Sequence, residues 1–121
     1  MGSPAPQQVM PLPDPSLIDE TASTPDETVL RVSNTTDVKQ LAASISFALQ
    51  DSRRVTLRAV GAAAVSQMAK AAAIARTYVA PRGVDLVVRP GFQTIMLPSL
   101  DPKKQGSLEE TTAVIFVCKV E

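Results

Sequence analysis

The residues in this 121-residue chain whose types could do chemistry are cations set around a glycine-led helix start. Arg53, Arg54 and Arg58 lead along one run toward Gly61, Arg82 follows the helix that opens there, and Lys103-Lys104 lie in a later turn-rich stretch. Phosphate binding needs cations gathered on one surface, with backbone N–H groups or small hydroxyls to set the register. A helix opening after Gly61 offers such an anion its free N–H groups and the positive end of its dipole. The expectation is therefore that these cations gather beside that helix start. Each also has a plainer reading. Isolated surface Arg and Lys are usually only solvated, and hairpin lysines often serve solubility. Arg76 closes the same helix, where the dipole favours a cation whatever its function.

Other chemistries lack their residues. The chain has no His, which excludes Ser-His and Cys-His nucleophile pairs, a His general base and His-containing metal sites. The single Cys118 alternates with apolar neighbours and reads as packing. Asp85 could be a general base, but no acid partner is evident beside it. Gly61 and its alanines form neither a GxGxxG nor a Walker sequence. Three Phe and one Tyr are too few for a base-stacking platform. The expectation is a non-enzyme with no cofactor, no metal and no small-molecule substrate. Lys70 and Arg76 interrupt the Ala-rich stretch, so no apolar run approaches the roughly 20 residues that span a bilayer. The start of the chain lacks the basic-then-apolar pattern of a secretory signal, and a cytoplasmic protein without membrane partners is expected.

The elements that must position these cations follow from periodicity. Residues 28–33 are a short β-rich run, and Ser33-Asn34-Thr35-Thr36 ends it, with Thr36 expected as the next helix's N-cap and Asp37 in its first turn. Val38, Leu41, Ala42, Ile45, Ala48 and Leu49 fall on one helical face through Asp51. Residues 53–60 alternate, with Val55, Leu57 and Ala59 on one side and Thr56 and Arg58 on the other. An alanine-rich helix then spans 62–79 and stops at Pro81-Arg82-Gly83. A strand over 84–89 meets a break or bulge at Pro90-Gly91 and resumes over 92–97. Residues 98–108 have turn composition and predict a long exposed connection. Residues 111–120 are β-branched and apolar on both faces, as in a strand that sits centrally or is covered on both sides. The order β-α-β-α-β-β predicts an α/β two-layer sandwich: a mixed four-stranded sheet with two helices on one face, its first two strands parallel and its last two an antiparallel hairpin. Phe47 on the first helix and Ile74 and Tyr78 on the second lie off the core stripes. Either a neighbouring element or a second subunit covers them.

Charge is distributed unevenly. Residues 1–27 hold Asp14, Asp19, Glu20, Asp26 and Glu27, no cation and six of the ten prolines, leaving 12 cationic against 7 acidic side chains on residues 28–121. Residues 1–26 therefore read as a flexible acidic tail before a domain over 27–121. The tail is either a solubilising extension or a competitor for the domain's basic surface.

Val60-Gly61-Ala62-Ala63-Ala64-Val65-Ser66-Gln67, Ala73-Ile74-Ala75-Arg76 and Val79-Ala80-Pro81-Arg82-Gly83-Val84-Asp85-Leu86 together resemble the stage V sporulation protein S family, over roughly residues 28–97. Those are small bacterial proteins of developmental regulation, themselves similar to Alba proteins, which bind DNA and RNA as dimers. The resemblance implies an Alba-like sheet, a basic residue presented at Arg58, and a hairpin arm carrying Lys103-Lys104. Where Alba proteins carry lysines after the first strand, this chain has Ser33-Asn34-Thr35-Thr36. The combined expectation is a regulatory nucleic-acid-binding protein, a homodimer or higher homo-oligomer through Phe47, Ile74 and Tyr78. Arg53, Arg54, Arg58, Arg82, Lys103 and Lys104 would meet DNA or RNA electrostatically and with steep salt dependence. The alternative is an oligomeric protein-interaction adaptor in a developmental or regulatory assembly.

Overall fold

The structure, a computed structural model, describes residues 10–121. Its main elements are β1 (Glu27–Val32), α1 (Val38–Asp51), β2 (Arg54–Ala59), α2 (Ala62–Val79), β3 (Leu86–Pro98) and β4 (Leu108–Val120). The order β-α-β-α-β-β is the expected one. The sheet runs β1-β2-β4-β3, with β1 and β2 parallel and β4 antiparallel to both its neighbours. β4 is thus an inner strand, as its apolar composition implies.

Strand alternation sends Leu30, Val32, Val55, Leu57, Ala59, Leu86 and Cys118 into one buried cluster. Leu41, Ala42, Ile45 and Leu49 of α1 and Ala64, Met68, Ala71, Ala75 and Val79 of α2 complete it. The alanines of α2 leave little side chain between the helices, so α2 packs closely along α1 as well as onto the sheet. Among the described residues, no helix is long and apolar enough to cross a membrane.

Local chemistry explains three departures from the sequence reading. The N-cap of α1 is Asp37, whose carboxylate accepts from the Gln40 N–H at 2.8 Å. Thr36 turns the other way: its buried hydroxyl accepts from the Ser33 N–H at 2.8 Å and closes the loop after β1. β3 runs unbroken through Pro90-Gly91, because it is an edge strand and can spare the donor that proline lacks. β4 begins at Leu108, which shortens the connection to residues 99–107.

Val114 pairs with Ala59, the last residue of β2, so the earlier half of β4 and its partner β3 continue as a two-stranded arm past the sheet. Lys103 and Lys104 lie in a 3-10 turn (Pro102–Lys104) at its tip.

Over its described part, the acidic N-terminal segment lies against the domain; residues 1–9 of the expected flexible tail fall outside the described residues. The Asp14 N–H donates to Ser44 Oγ on α1 at 2.9 Å. Ile18 bridges Leu30, and the Asp19 N–H donates to the Val29 carbonyl at 2.8 Å. The Val29 N–H donates to Ser23 Oγ at 3.0 Å. The outer edge of β1 carries unpaired backbone groups, and this strap satisfies some of them while Leu17 and Ile18 pack on the core.

Replacing Asp37 with Ala is expected to cost about 1 kcal/mol, the usual worth of an N-cap. Leu57→Ala in the sealed core is expected to cost about 2–5 kcal/mol. Equilibrium denaturation of each variant checks the ranking.

Candidate nucleic-acid interface

The residues that alternate with the core-facing ones project from the side of the sheet that carries no helix. Arg31 stands opposite Arg58, and Arg58 opposite Ile115. In the next row Thr56 faces Val117, and Val117 faces Arg89. Lys119 pairs with Val87 one row further, and Arg54 lies on β2 near that end. Arg31, Arg54, Arg58, Arg89 and Lys119 therefore share one sheet face. Exposed Arg53, at the foot of β2, joins Arg54, Lys119 and Asp26 around a depression of about 540 Å³. Arg31, Arg89 and Lys119 escaped the sequence reading. Their alternation was visible there, but only pairing register reveals that separate strands turn them to the same side.

At the arm end of this face Arg31, Asn34, Arg58, Gly61, Ala62 and Ile95 line a second depression of about 480 Å³. Gly61 holds φ at 91°, a conformation that disfavours any residue with a Cβ, and caps α2 without a side chain. The first-turn N–H groups of α2 thus have no side-chain acceptor at the cap.

The expected gathering at this helix start is only partly realised. Arg58 is there. Arg54 sits four residues back along β2, roughly 13 Å away at strand rise, with Arg53 beyond it. Arg82 follows the other end of an 18-residue helix, about 27 Å from its start. Its guanidinium donates instead to the carbonyl and hydroxyl of Ser46 on α1, at 3.3 and 3.4 Å, and ties the helix layer together. Lys103 and Lys104 are exposed on the arm tip, which extends beyond the Gly61 end of the face.

Acidic partners already hold two of these cations. The Arg58 guanidinium meets the Asp19 carboxylate at 2.6 Å, and the two side chains are only 17% and 14% exposed. The Thr21 hydroxyl lowers the Asp19 carboxyl most. Burial opposes it, but the Arg58 guanidinium and the Ala22 N–H add to the lowering, and the result is about 2. Burial also pushes Glu27 upward, yet hydrogen bonds from Arg54 Nε at 2.7 Å and the Thr56 hydroxyl at 2.8 Å outweigh it and leave it below the ordinary range. Among the described residues, Arg31, Arg53, Arg89 and Lys119 form no ion pair.

Asp85 and Cys118 resolve into ion pairing and packing. Asp85 accepts from Arg76 at 2.9 Å, an exposed pair joining α2 to the chain before β3. Burial pushes the Cys118 thiol up to about 12, far from a reactive thiolate. Ile74 and Tyr78 are half-buried against the core, whereas Phe47 is 51% exposed beside the strap.

Because folding lowers the Asp19 carboxyl from 3.8 to about 2, its stabilisation is complete above the unfolded value. It is lost as pH falls from about 4 toward 2, and Glu27 acts with the same sign. Denaturation across that acid range is expected to show stability falling with pH, with a smaller drop in Asp19→Asn.

The family model described as Stage V sporulation protein S matches residues 28–120. The match begins one residue into β1 and ends with the last residue of β4, so it takes in the whole sheet, both helices and the arm. It extends past the stretch whose motifs carry the resemblance and leaves the strap outside. With more than two thirds of its length matched, the chain belongs to the Stage V sporulation protein S family.

Proposed function

We propose that this family member is a non-enzymatic regulatory protein that binds DNA or RNA through the helix-free face of its sheet, as a homodimer or higher homo-oligomer in the cytoplasm. The observation that carries the reading is the set Arg31, Arg54, Arg58, Arg89 and Lys119 on one sheet face, with Arg53 at its rim. Neutralising several phosphates releases their counterions, which gives affinity without reading base edges. The uncapped start of α2 adds backbone donors beside Arg58. Lys103 and Lys104 add two cations at the arm tip, separated from the sheet by Glu109 and Glu110, whereas Arg82 is held on the helix layer by Ser46. Two copies would double the track and strengthen binding to a duplex through avidity.

A specific observation favours the adaptor reading as an alternative. The arm exposes Phe92 at 78% and Leu108 at 61%, and Leu100 beyond them at 98%. Large apolar groups of this kind on a projecting hairpin suit a protein partner.

Fluorescence anisotropy with a labelled DNA duplex and a matched RNA duplex, at two salt concentrations, tests the main reading. Binding is expected at low salt and should weaken steeply as salt rises. Arg89→Ala and Lys119→Ala should each reduce the slope of log affinity against log salt by about 1, because each removes a phosphate contact. Both positions are exposed, so folding should be unchanged. An absence of binding at low salt leaves the adaptor reading. Sedimentation of the wild-type chain against Phe47→Asp tests association separately, with loss of the oligomer expected.

A further inference from the structure

We propose that Asp19 is an intramolecular latch: its carboxylate occupies Arg58 in place of a nucleic-acid phosphate, and a duplex must displace the strap to use that residue. The inference rests on the nucleic-acid reading above and adds a regulation of the same face.

Arg58 is the enclosed cation beside the start of α2, and it is the one that the strap holds through a carboxylate. One Asp19 oxygen accepts the Thr21 hydroxyl at 2.7 Å and the Ala22 N–H at 3.3 Å. That leaves the other aimed at the guanidinium at 2.6 Å. The carboxylate is thus preset by its own turn as a stand-in for a phosphate oxygen.

Glu27 contrasts with it. Glu27 belongs to β1, so its backbone stays beside Arg54 for as long as β1 pairs with β2. At the foot of the strap the Asp26 carbonyl is held by the Arg53 and Arg54 N–H groups. From Asp14 to Ser23 the strap has lighter anchors: one bond to Ser44, two along the β1 edge, the packing of Leu17 and Ile18, and a 3.5 Å contact from Arg31 to the Ser16 carbonyl at the limit of a hydrogen bond. It can detach while the sheet stays paired. The family match starts at residue 28, so Arg58 lies within it and Asp19 outside it.

An attached carboxylate competes at an effective concentration that a free anion rarely reaches. Residues 10–26 carry no cation, so displacement removes acidic groups from the approach of a polyanion and adds no positive charge.

The test compares the full chain with Asp19→Asn, Arg58→Ala and the double variant, using the same labelled duplexes at low salt. Asp19→Asn is expected to bind about tenfold more tightly, the scale of one charge-assisted hydrogen bond set free. The gain should vanish in the Arg58→Ala background, since the latch acts only through that guanidinium. Amide exchange at Asp19 and Val29 should rise in Asp19→Asn. Should that variant fold poorly, Ile18→Ser loosens the strap without touching a charge and should also tighten binding. Unchanged affinity in Asp19→Asn, with Arg89→Ala and Lys119→Ala still weakening binding, overturns the latch and spares the nucleic-acid reading. A gain that persists without Arg58 also overturns it. If no form of the chain binds either duplex, the nucleic-acid reading fails and takes the latch with it.

Discussion

Leu30, Val55, Leu57 and Cys118 leave the sheet on one side to pack against Ile45 of α1 and Met68 of α2. The two-residue period of a strand then sends their neighbours to the opposite side. That burial cannot slip by one residue without turning the apolar set to solvent and the arginines into the core. The helix layer thus decides where the charges go. Arg31, Arg58 and Arg89 are presented together because Val32, Leu57 and Val88 beside them are claimed by the helices.

A chain with equal numbers of acidic and basic groups can still present a face on which cations outnumber acids if some acids are placed elsewhere or spent on particular partners. Both occur here. Asp85 and Asp37 serve the helix layer, one paired with Arg76 and the other capping α1. Glu27 and Asp19 are spent on the helix-free face itself, on Arg54 and Arg58. These two pairs differ in what holds the acid. One sits in a paired strand and the other in a strap laid along an edge, so they differ in how readily the cation is given up.

The arm has a different physical character. Beyond Ala59 the hairpin has no third strand, and apart from Ala113, Ile95 and Thr111 near its base the side chains of its strands are exposed. A two-stranded ribbon contributes little stability alone, and Phe92 in that setting is not a core residue. The family match covers the ribbon together with the sheet.

Much of this was readable from residue types alone. The element order, the α1 stripe, the alternation of β2 and the central place of β4 rest on local periodicity, which neighbours in sequence already set, and the stretch around Gly61 and Arg76 carries the resemblance to the family. The boundaries at Asp37 and Leu108 were less legible, because two adjacent capping residues compete at one and a turn-rich sequence hides pairing at the other. The face that joins Arg31, Arg58, Arg89 and Lys119 depends on strand order and register, which are long-range pairings. The position of Arg82 depends on the length of α2 and on Ser46 standing within reach. The strap's proline-rich, acidic composition predicts disorder, and nothing local tells that Ile18 meets Leu30 or that Asp19 meets Arg58 across 39 residues. Short-range periodicity made the parts of this protein, and only burial of the assembled sheet decided which charges would stand side by side.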